Sequence, residues 1–364
     1  MSVFTRQLHN QGVSIWLDNI SRLMLDNGTF ERYIDEFSVT GLTSNPTIFE
    51  NAMANTNYYD DAIRALGNTQ ISDEDLFYEL AVEDIQRAAD LFLPVYQKTN
   101  GLDGFVSIEV SPLLAFDAEN TIKAAKNIKM KVNRPNVLIK IPGTAQGLQA
   151  IEKVIAEGIL VNITLIFSPE QYEAVTIAYL KGVETRIEYG YNPDIRSVAS
   201  VFVSRWDKAV AGKVQTELQN KLGIAVMQKV YNSYNEFLKS DRVRRIMNFG
   251  AFPQRLLWAS TGTKDAAISD IFYVKNLVAP FTINTMTEPT LLAFAGHGDS
   301  GTVMSGSGEE ADLILQQFKE NQLDYRDLAK QLQNEGIELF AKSWRHLIES
   351  IAKKRTKLKQ NHNL

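Results

Sequence analysis

Short runs of apolar residues alternate with longer amphipathic segments along most of the chain. β-Branched and aliphatic residues fill the short runs, which is typical of buried strands. Eight strands are predicted in this way, at Ser14–Leu17, Ser38–Leu42, Phe105–Glu109, Val137–Ile141, Leu160–Phe167, Val198–Val203, Arg255–Ala259 and Phe281–Asn284. Proline follows four of these runs, where a turn is expected, at Pro46, Pro112, Pro142 and Pro169.

The segments between the strands have helical periodicity. Glu74–Tyr96 is the clearest, because its apolar residues recur every three or four positions. Further helices are predicted at Ala118–Lys131, Ala145–Ala156, Pro169–Tyr189, Trp206–Leu222, Ala225–Ser240 and Asp270–Val278. The segment Leu313–Gln360 is also predicted to be helical and to pack outside the strands.

Alternation of strand and helix predicts an α/β fold, a (β/α)8 TIM barrel with additional N- and C-terminal helices. We expect one domain, residues 1–364, with the helical segment at about 310–360 packed on it. A doubly wound open sheet is the alternative, but its glycine-rich phosphate loop is missing from Asp18-Asn19-Ile20-Ser21 after the first strand. Ala295–Gly301 matches no phosphate-binding motif, and we interpret it as a flexible loop.

Composition narrows the functional classes. The net charge of −5 gives no basic field for nucleic acid, and the short basic tail Lys353–Lys359 is interpreted as a solvated helix end. Cysteine is absent, which excludes thiol chemistry, and the four histidines have no metal-ligand spacing. The first residues are too polar for a signal peptide and no apolar run could span a membrane. A cytoplasmic protein without a membrane partner is predicted.

A lysine lies inside an apolar strand, at Lys140 in Val137–Ile141. An ammonium group there is costly unless it is used, and desolvation would free its lone pair for nucleophilic attack. The alternative is a lysine whose stem packs in the strand while its head reaches water or an ion pair.

Other polar residues fall at the predicted strand ends, where the chemistry of such a barrel lies. They are Asp18, Thr43, Ser44, Asn45, Glu109, Asn162, Thr164, Ser200, Arg205 and Ser260, with Phe202 two positions after Ser200. Each has a structural alternative: Asp18 could cap a helix, Asn45 a turn, and Glu109 could be a surface charge. Asn162 and Thr164 could be core residues, and Arg205 could pair with Asp207. Together, an amine, two carboxylates, hydroxyls and amides suit Schiff-base chemistry on a polyhydroxylated substrate.

Six motifs in this order resemble the transaldolase family, in its longer-chain branch. They are Gly41–Phe49, Val106–Val110, Val137–Pro142, Val161–Ser168, Ser200–Arg205 and Asn284–Met286. The resemblance implies a cofactor-free transferase of the pentose phosphate pathway. It would move a dihydroxyacetone unit from sedoheptulose 7-phosphate to glyceraldehyde 3-phosphate, giving erythrose 4-phosphate and fructose 6-phosphate.

The resemblance also implies roles for individual residues. Lys140 would form the Schiff base, Asp18 would accept the substrate hydroxyl proton, and Glu109 with Thr164 would hold a proton-shuttling water. Asn45 and Asn162 would bind donor hydroxyls with Thr43 and Ser200 nearby, and Arg205 would clamp the phosphate. Shorter family members place a second arginine after strand seven. Here we propose that Lys264, with Ser260, replaces it.

Other functions stay open at this point. A Schiff-base aldolase of the fructose 6-phosphate or deoxyribose phosphate type is one, although the phenyl ring of Phe202 offers the intermediate no proton. A retaining glycosidase using Asp18 and Glu109 would leave Lys140 unexplained. A barrel that only binds sugar phosphates is the non-enzymatic alternative. The oligomeric state is open too, with a homodimer as one option.

Overall fold

The computed structural model describes residues 2–54, 56–67, 70–263, 265–305 and 308–360. Eight parallel strands close into a barrel in sequence order, each paired with its neighbours, β8 with β1. The strands are β1 (Val13–Asp18), β2 (Val39–Thr43), β3 (Val106–Glu109), β4 (Val137–Pro142), β5 (Val161–Ile166), β6 (Ser197–Phe202), β7 (Arg255–Ala259) and β8 (Thr282–Met286). The predicted barrel and its eight strands are confirmed.

Helices surround the barrel. They are α1 (Val3–Asn10), α2 (Arg22–Asp26), α3 (Thr29–Phe37), α4 (Pro46–Ala54), α5 (Asp60–Gly67), α6 (Asp73–Lys98), α7 (Ala118–Val132), α8 (Ala145–Ala156), α9 (Pro169–Glu188), α10 (Arg205–Val210), α11 (Leu222–Lys239), α12 (Asp241–Asn248), α13 (Phe272–Asn276), α14 (Glu288–His297), α15 (Glu309–Glu320) and α16 (Tyr325–Gln360). Short 3-10 turns lie at Pro112–Leu114 and Thr216–Leu218.

Local sequence explains where the barrel helices begin. Ser72, Thr144 and Ser168 stand immediately before α6, α8 and α9, and each side chain accepts a backbone N–H of the first turn. The predicted apolar stripe of α6 is buried: its residues from Leu76 to Phe92 on that face are at most 2 % exposed. These helices bury one face against the strands, and the core between the two layers fixes the barrel.

Three sequence predictions of local structure were wrong. The predicted helix Trp206–Leu222 is only α10 and a 3-10 turn, because the backbone leaves the helical region at Ala211, with ψ 128°, and Gly212 follows with a left-handed φ of 72°. The predicted helix Asp270–Val278 is shortened to α13. The predicted loop Ala295–Gly301 begins inside α14, which continues to His297.

The C-terminal helix α16 crosses the carboxyl end of the barrel. It packs against α4, α5 and α6 and contacts β5. Its Gln333 is bonded to backbone carbonyls at the ends of β4 and β5, and Ser343 meets Thr47 at the start of α4, 2.9 Å away. The position of this helix over the mouth of the barrel was not predicted from the sequence.

Candidate active site

Lys140 lies at the carboxyl end of β4 and is only 5 % exposed. Its Nζ donates a hydrogen bond to the carbonyl of Ser44, 2.8 Å away, and forms an ion pair with Glu109. The strand register explains this pairing, because Lys140 stands directly beside Glu109 on β3 and Asn162 on β5. The head of Lys140 therefore does not reach bulk water; it is a buried amine held between a carboxylate and a carbonyl.

Asp18 ends β1 opposite Thr43 on β2. Thr43 Oγ1 donates to Asp18 Oδ1 at 2.6 Å, and Asn45 Nδ2 lies 3.5 Å from Oδ2. The Thr43 hydroxyl also lies 2.7 Å from the Thr285 hydroxyl on β8. Since Thr43 uses its proton on Asp18, Thr285 is the donor in that second bond. The carboxylate is thus oriented by a chain of two hydroxyls, which come from the strands on either side of β1.

Burial raises the pKa of both carboxyl groups in the mouth, Asp18 and Glu109, above their ordinary values. The positive charge of Lys140 opposes the shift in each, and Asp18 also receives the hydrogen bonds from Thr43 and Asn45. Two carboxyl groups with raised pKa beside one amine can exchange protons with a reacting substrate.

Asn162 on β5 is fully buried and links three strands. Its Nδ2 donates to Ser107 Oγ on β3 at 3.0 Å, and its Oδ1 accepts the Ser200 hydroxyl of β6 at 2.6 Å. Thr164, two positions along the same face of β5, is 2 % exposed, and its hydroxyl has no hydrogen-bond partner among the described residues. The face beside Lys140 is therefore lined by amide and hydroxyl groups.

Arg205 begins α10, just after β6. Its guanidinium lies 5.5 Å from the centre of the Phe202 ring. Burial lowers the pKa of Arg205, and the negative charge of Glu335 on α16 opposes that shift. The neighbouring Ser204 hydroxyl is 2.9 Å from that of Ser260, which follows β7. The structure thus brings Arg205 and Ser260 to one edge of the mouth. Lys264 lies outside the described residues.

The geometry decides between several of the structural alternatives. Asp18 does not cap α2, because Ser21 does so, with its hydroxyl accepting the Met24 N–H. Glu109 is 8 % exposed and is not a surface charge. Asp207 is buried and accepts hydrogen bonds from Gly223 and Tyr273 instead of pairing with Arg205. Asn45 does cap α4, through the Ile48 N–H, while its amide faces Asp18.

Sequence reasoning missed the groups that come from α16. Phe340 is 7 % exposed, and its ring centre lies 5.9 Å from Lys140 Nζ and 6.5 Å from the Phe202 ring. Ser107 and Thr285 were inside recognised motifs, but no role was assigned to them. The buried stripe of α16 was a usable signal for packing, although not for where the helix packs.

The opposite end of the barrel is chemically different. A cavity of about 550 Å³ lies there, and its lining is mostly apolar, with no titratable side chain: Thr99, Asn100, Leu102, Leu238, Met247, Phe252, Pro253 and Phe281. The buried amine and its two carboxyl neighbours lie at the carboxyl end, where active sites of such barrels lie. An amine, two carboxylates and bound hydroxyls there can form an imine and move protons around it.

Comparisons with known proteins cover almost the whole chain. A family model described as Transaldolase/Fructose-6-phosphate aldolase matches residues 15–351. A transaldolase of Saccharopolyspora erythraea is 43% identical over 94% of this chain and 95% of its own length. A transaldolase of Kocuria rhizophila is 41% identical over 96% of this chain and 98% of its own length. A transaldolase of Thermobifida fusca is 43% identical over 95% of this chain and 97% of its own length.

Proposed function

The chain belongs to the transaldolase/fructose-6-phosphate aldolase family, and on that premise we propose that it is a transaldolase that works through a Schiff base on Lys140. It transfers a dihydroxyacetone unit between sugar phosphates in the pentose phosphate pathway. Sedoheptulose 7-phosphate and glyceraldehyde 3-phosphate give erythrose 4-phosphate and fructose 6-phosphate, and the reaction runs in both directions. The observation that carries this proposal is the buried amine of Lys140 between Glu109 and the Ser44 carbonyl.

The first half of the reaction forms the imine. Lys140 gives its proton to Glu109, and the free amine attacks the ketone carbon of the donor to form a carbinolamine. Loss of water then yields the protonated imine. Glu109, which pairs with Lys140, and the buried Thr164 hydroxyl would hold the water that carries protons to and from the leaving hydroxyl.

The second half breaks and remakes a carbon–carbon bond. Asp18 accepts the proton of the substrate hydroxyl next to that bond, the bond's electron pair flows into the imine, and an aldehyde leaves. The enamine that remains on Lys140 attacks the acceptor aldehyde, whose oxygen recovers a proton from Asp18. Hydrolysis of the new imine frees the product. Asp18 must be ionised at the start, and its hydrogen bonds from Thr43 and Asn45 favour that form.

Substrate contacts follow from the two sides of the mouth. Asn45 and Asn162 would bind donor hydroxyls, with Thr43 and Ser200 completing the polar wall. The planar guanidinium of Arg205 would hold the substrate phosphate, with Ser260 beside it. Lys264 stays a prediction as the second phosphate contact. Lys264→Ala should raise the KM for phosphorylated substrates, and an unchanged KM would remove it from the site.

A free aldolase is the family's other activity, and two rings argue against it here. Phe202 and Phe340 lie on the same side of the mouth as Lys140, and neither can donate a proton to the enamine. An enamine that is kept from protons waits for an acceptor aldehyde. Transfer is therefore expected to exceed release of free dihydroxyacetone.

The test is a transfer assay with fructose 6-phosphate as donor and erythrose 4-phosphate as acceptor, read as formation of glyceraldehyde 3-phosphate. The protein should be active, Lys140→Met should be inactive, and Lys153→Met should match the unmodified protein. Lys153 is a suitable control because its side chain is 61% exposed on α8. Activity that survives in Lys140→Met would contradict the proposal.

Three broader expectations accompany the activity. No helix among the described residues is long and apolar enough to cross a membrane. We place the protein in the cytoplasm as a single barrel domain, which fractionation and a single unfolding transition would test. A homodimer also stays a prediction. Light scattering would distinguish it from a monomer of 40.9 kDa.

A further inference from the structure

One face of α16 points into the mouth of the barrel. Gln333, Gly336 and Phe340 recur at three- and four-residue spacing, so they lie on the same side of the helix. Phe340 covers Lys140, and a Cβ added at Gly336 would lie 2.9 Å from a methyl group of Leu165. The helix therefore contacts the end of β5 closely at Gly336, one turn after Gln333.

The amide of Gln333 bridges two strands. Its Nε2 donates to the carbonyl of Gly143 at 3.1 Å and to the carbonyl of Leu165 at 2.9 Å. Gly143 follows β4, three residues after Lys140, and Leu165 follows Thr164 on β5. Both N–H bonds of one side chain are thus used to hold the ends of the two strands that carry the amine and the proton-relay hydroxyl.

The strand end that Gln333 holds has an irregular backbone. Leu165 adopts φ 59°, a left-handed conformation that residues other than glycine rarely take. The pairing of β5 with β6 also shifts register between Ile163 and Ile166. Bulges of this kind re-aim neighbouring side chains and persist only where surrounding contacts hold them. Here Gln333 donates to the Leu165 carbonyl, and Gly336 packs against the Leu165 side chain.

We propose that Gln333 is a positioning residue for the Schiff-base reaction, because its amide fixes the bulge at Leu165 and so sets Thr164 against Lys140. The inference rests on the proposed function. Gln333 bonds only to backbone carbonyls among the described residues and has no described contact with Lys140, Glu109 or Asp18. Gln333 acts on the reaction by positioning β4 and β5. Imine formation is the step that depends on how these strands align Lys140 and Thr164.

The experiment compares Gln333→Met with Gln331→Met. The control loses an amide on the same helix that bonds only to the exposed Glu335 carboxylate. Because small misplacements of reacting groups can cost about 100-fold in rate, we expect kcat of Gln333→Met to fall by about 10- to 100-fold. The KM for fructose 6-phosphate should change by less than about threefold, since hydroxyl and phosphate contacts remain. Gln331→Met should match the unmodified protein.

Gln333→Glu gives a second readout that a purely structural role would not move. Its carboxylate repels both carbonyls when ionised and can donate one hydrogen bond when protonated. The kcat of Gln333→Glu, relative to that of the unmodified protein, should therefore be higher at low pH than at high pH. The same pattern should appear in the single-turnover rate of borohydride-trapped imine. This variant also serves if Gln333→Met does not fold.

Two outcomes would overturn the inference. One is a Gln333→Met protein, folded by its unfolding midpoint, whose kcat is unchanged or whose defect lies only in KM. The other is an equal loss in Gln331→Met, which would indicate a general effect on the helix. Failure of the proposed function is distinguishable, because then the unmodified protein would not transfer or Lys140→Met would still do so.

Discussion

Removing the Phe340 ring should turn part of the transfer activity into release of free dihydroxyacetone. The ring is 7 % exposed and lies over Lys140, where the enamine would form. Phe340→Ala removes the ring that covers Lys140 and lets water reach the enamine. That water can protonate the enamine before an acceptor aldehyde arrives. The Lys140–Glu109 pair and the Asp18 contacts do not involve Phe340, so the first half of the reaction should continue.

Two energetic effects have to be compared. The ring centre is 5.9 Å from Lys140 Nζ, at the edge of the range of cation–π attraction, so its loss costs about 0.5 kcal/mol, or two- to threefold in imine stability. Water access to the enamine is the larger effect. We expect the ratio of free dihydroxyacetone to transfer product to rise about tenfold, equivalent to about 1.4 kcal/mol between the two barriers.

Stability has to be monitored in the same experiment. A buried Phe→Ala change costs about 3–5 kcal/mol, which is a large part of the free energy of unfolding of an ordinary domain. Phe340→Leu keeps most of the volume, should cost less than about 1.5 kcal/mol, and should show a smaller increase in release. Leu339→Ala is the control, because Leu339 is 47% exposed on the same helix.

The assay measures dihydroxyacetone from fructose 6-phosphate without acceptor, and transfer product with erythrose 4-phosphate present. Folded Phe340→Ala with an unchanged ratio would refute the view that α16 keeps water from the enamine. An equal increase in Leu339→Ala would also refute it.

Three further predictions concern the Asp18 side of the mouth and the barrel beneath it. The kcat/KM should fall as pH drops through a pKa above the ordinary 3.8 of an aspartate, because burial raises the pKa of Asp18 and only the ionised form accepts a proton. The pH–rate profile of the residual activity of Asp18→Asn should lose this contribution and keep only that of Glu109, whose pKa burial also raises. Thr285→Val removes the donor to the Thr43 hydroxyl, so the Asp18 contribution should move to higher pH, and an unmoved contribution would exclude Thr285 from the chain. Gly41→Ala would place a Cβ 2.5 Å from the buried Trp16 ring and should lower the free energy of unfolding in urea by about 1–3 kcal/mol; a stability equal to that of the unmodified protein would refute this packing.

The barrel and most of its mouth could be predicted from sequence for a simple reason. The eight strands are continuous apolar runs bounded by turn residues, and parallel strands in a closed barrel bring their carboxyl ends together. Asp18, Glu109 and Lys140 are far apart in the chain, but each ends or nearly ends a strand. Once the strands are placed, their meeting follows, and the register of β3 with β4 sets Glu109 beside Lys140.

The contribution of α16 could not be predicted because no local rule sets it. Gln333 is 190 residues from Gly143, and the stripe of apolar residues on α16 says only that one face is buried. Which surface buries that face depends on the tertiary packing against α4, α5 and α6. The left-handed backbone of Leu165 could not be predicted either, because the sequence around it has the pattern of a regular strand. The helix predicted after β6 was too long, because α10 ends before the non-helical backbone of Ala211 and Gly212.

The central claim is that Lys140 carries the three-carbon unit covalently, and borohydride trapping tests it most directly. The protein is incubated with fructose 6-phosphate, reduced with borohydride, digested and examined by mass spectrometry. The account predicts a dihydroxyacetone-derived adduct on Lys140, and none in Lys140→Met. An adduct on another lysine, or no adduct in a protein that transfers, would contradict it.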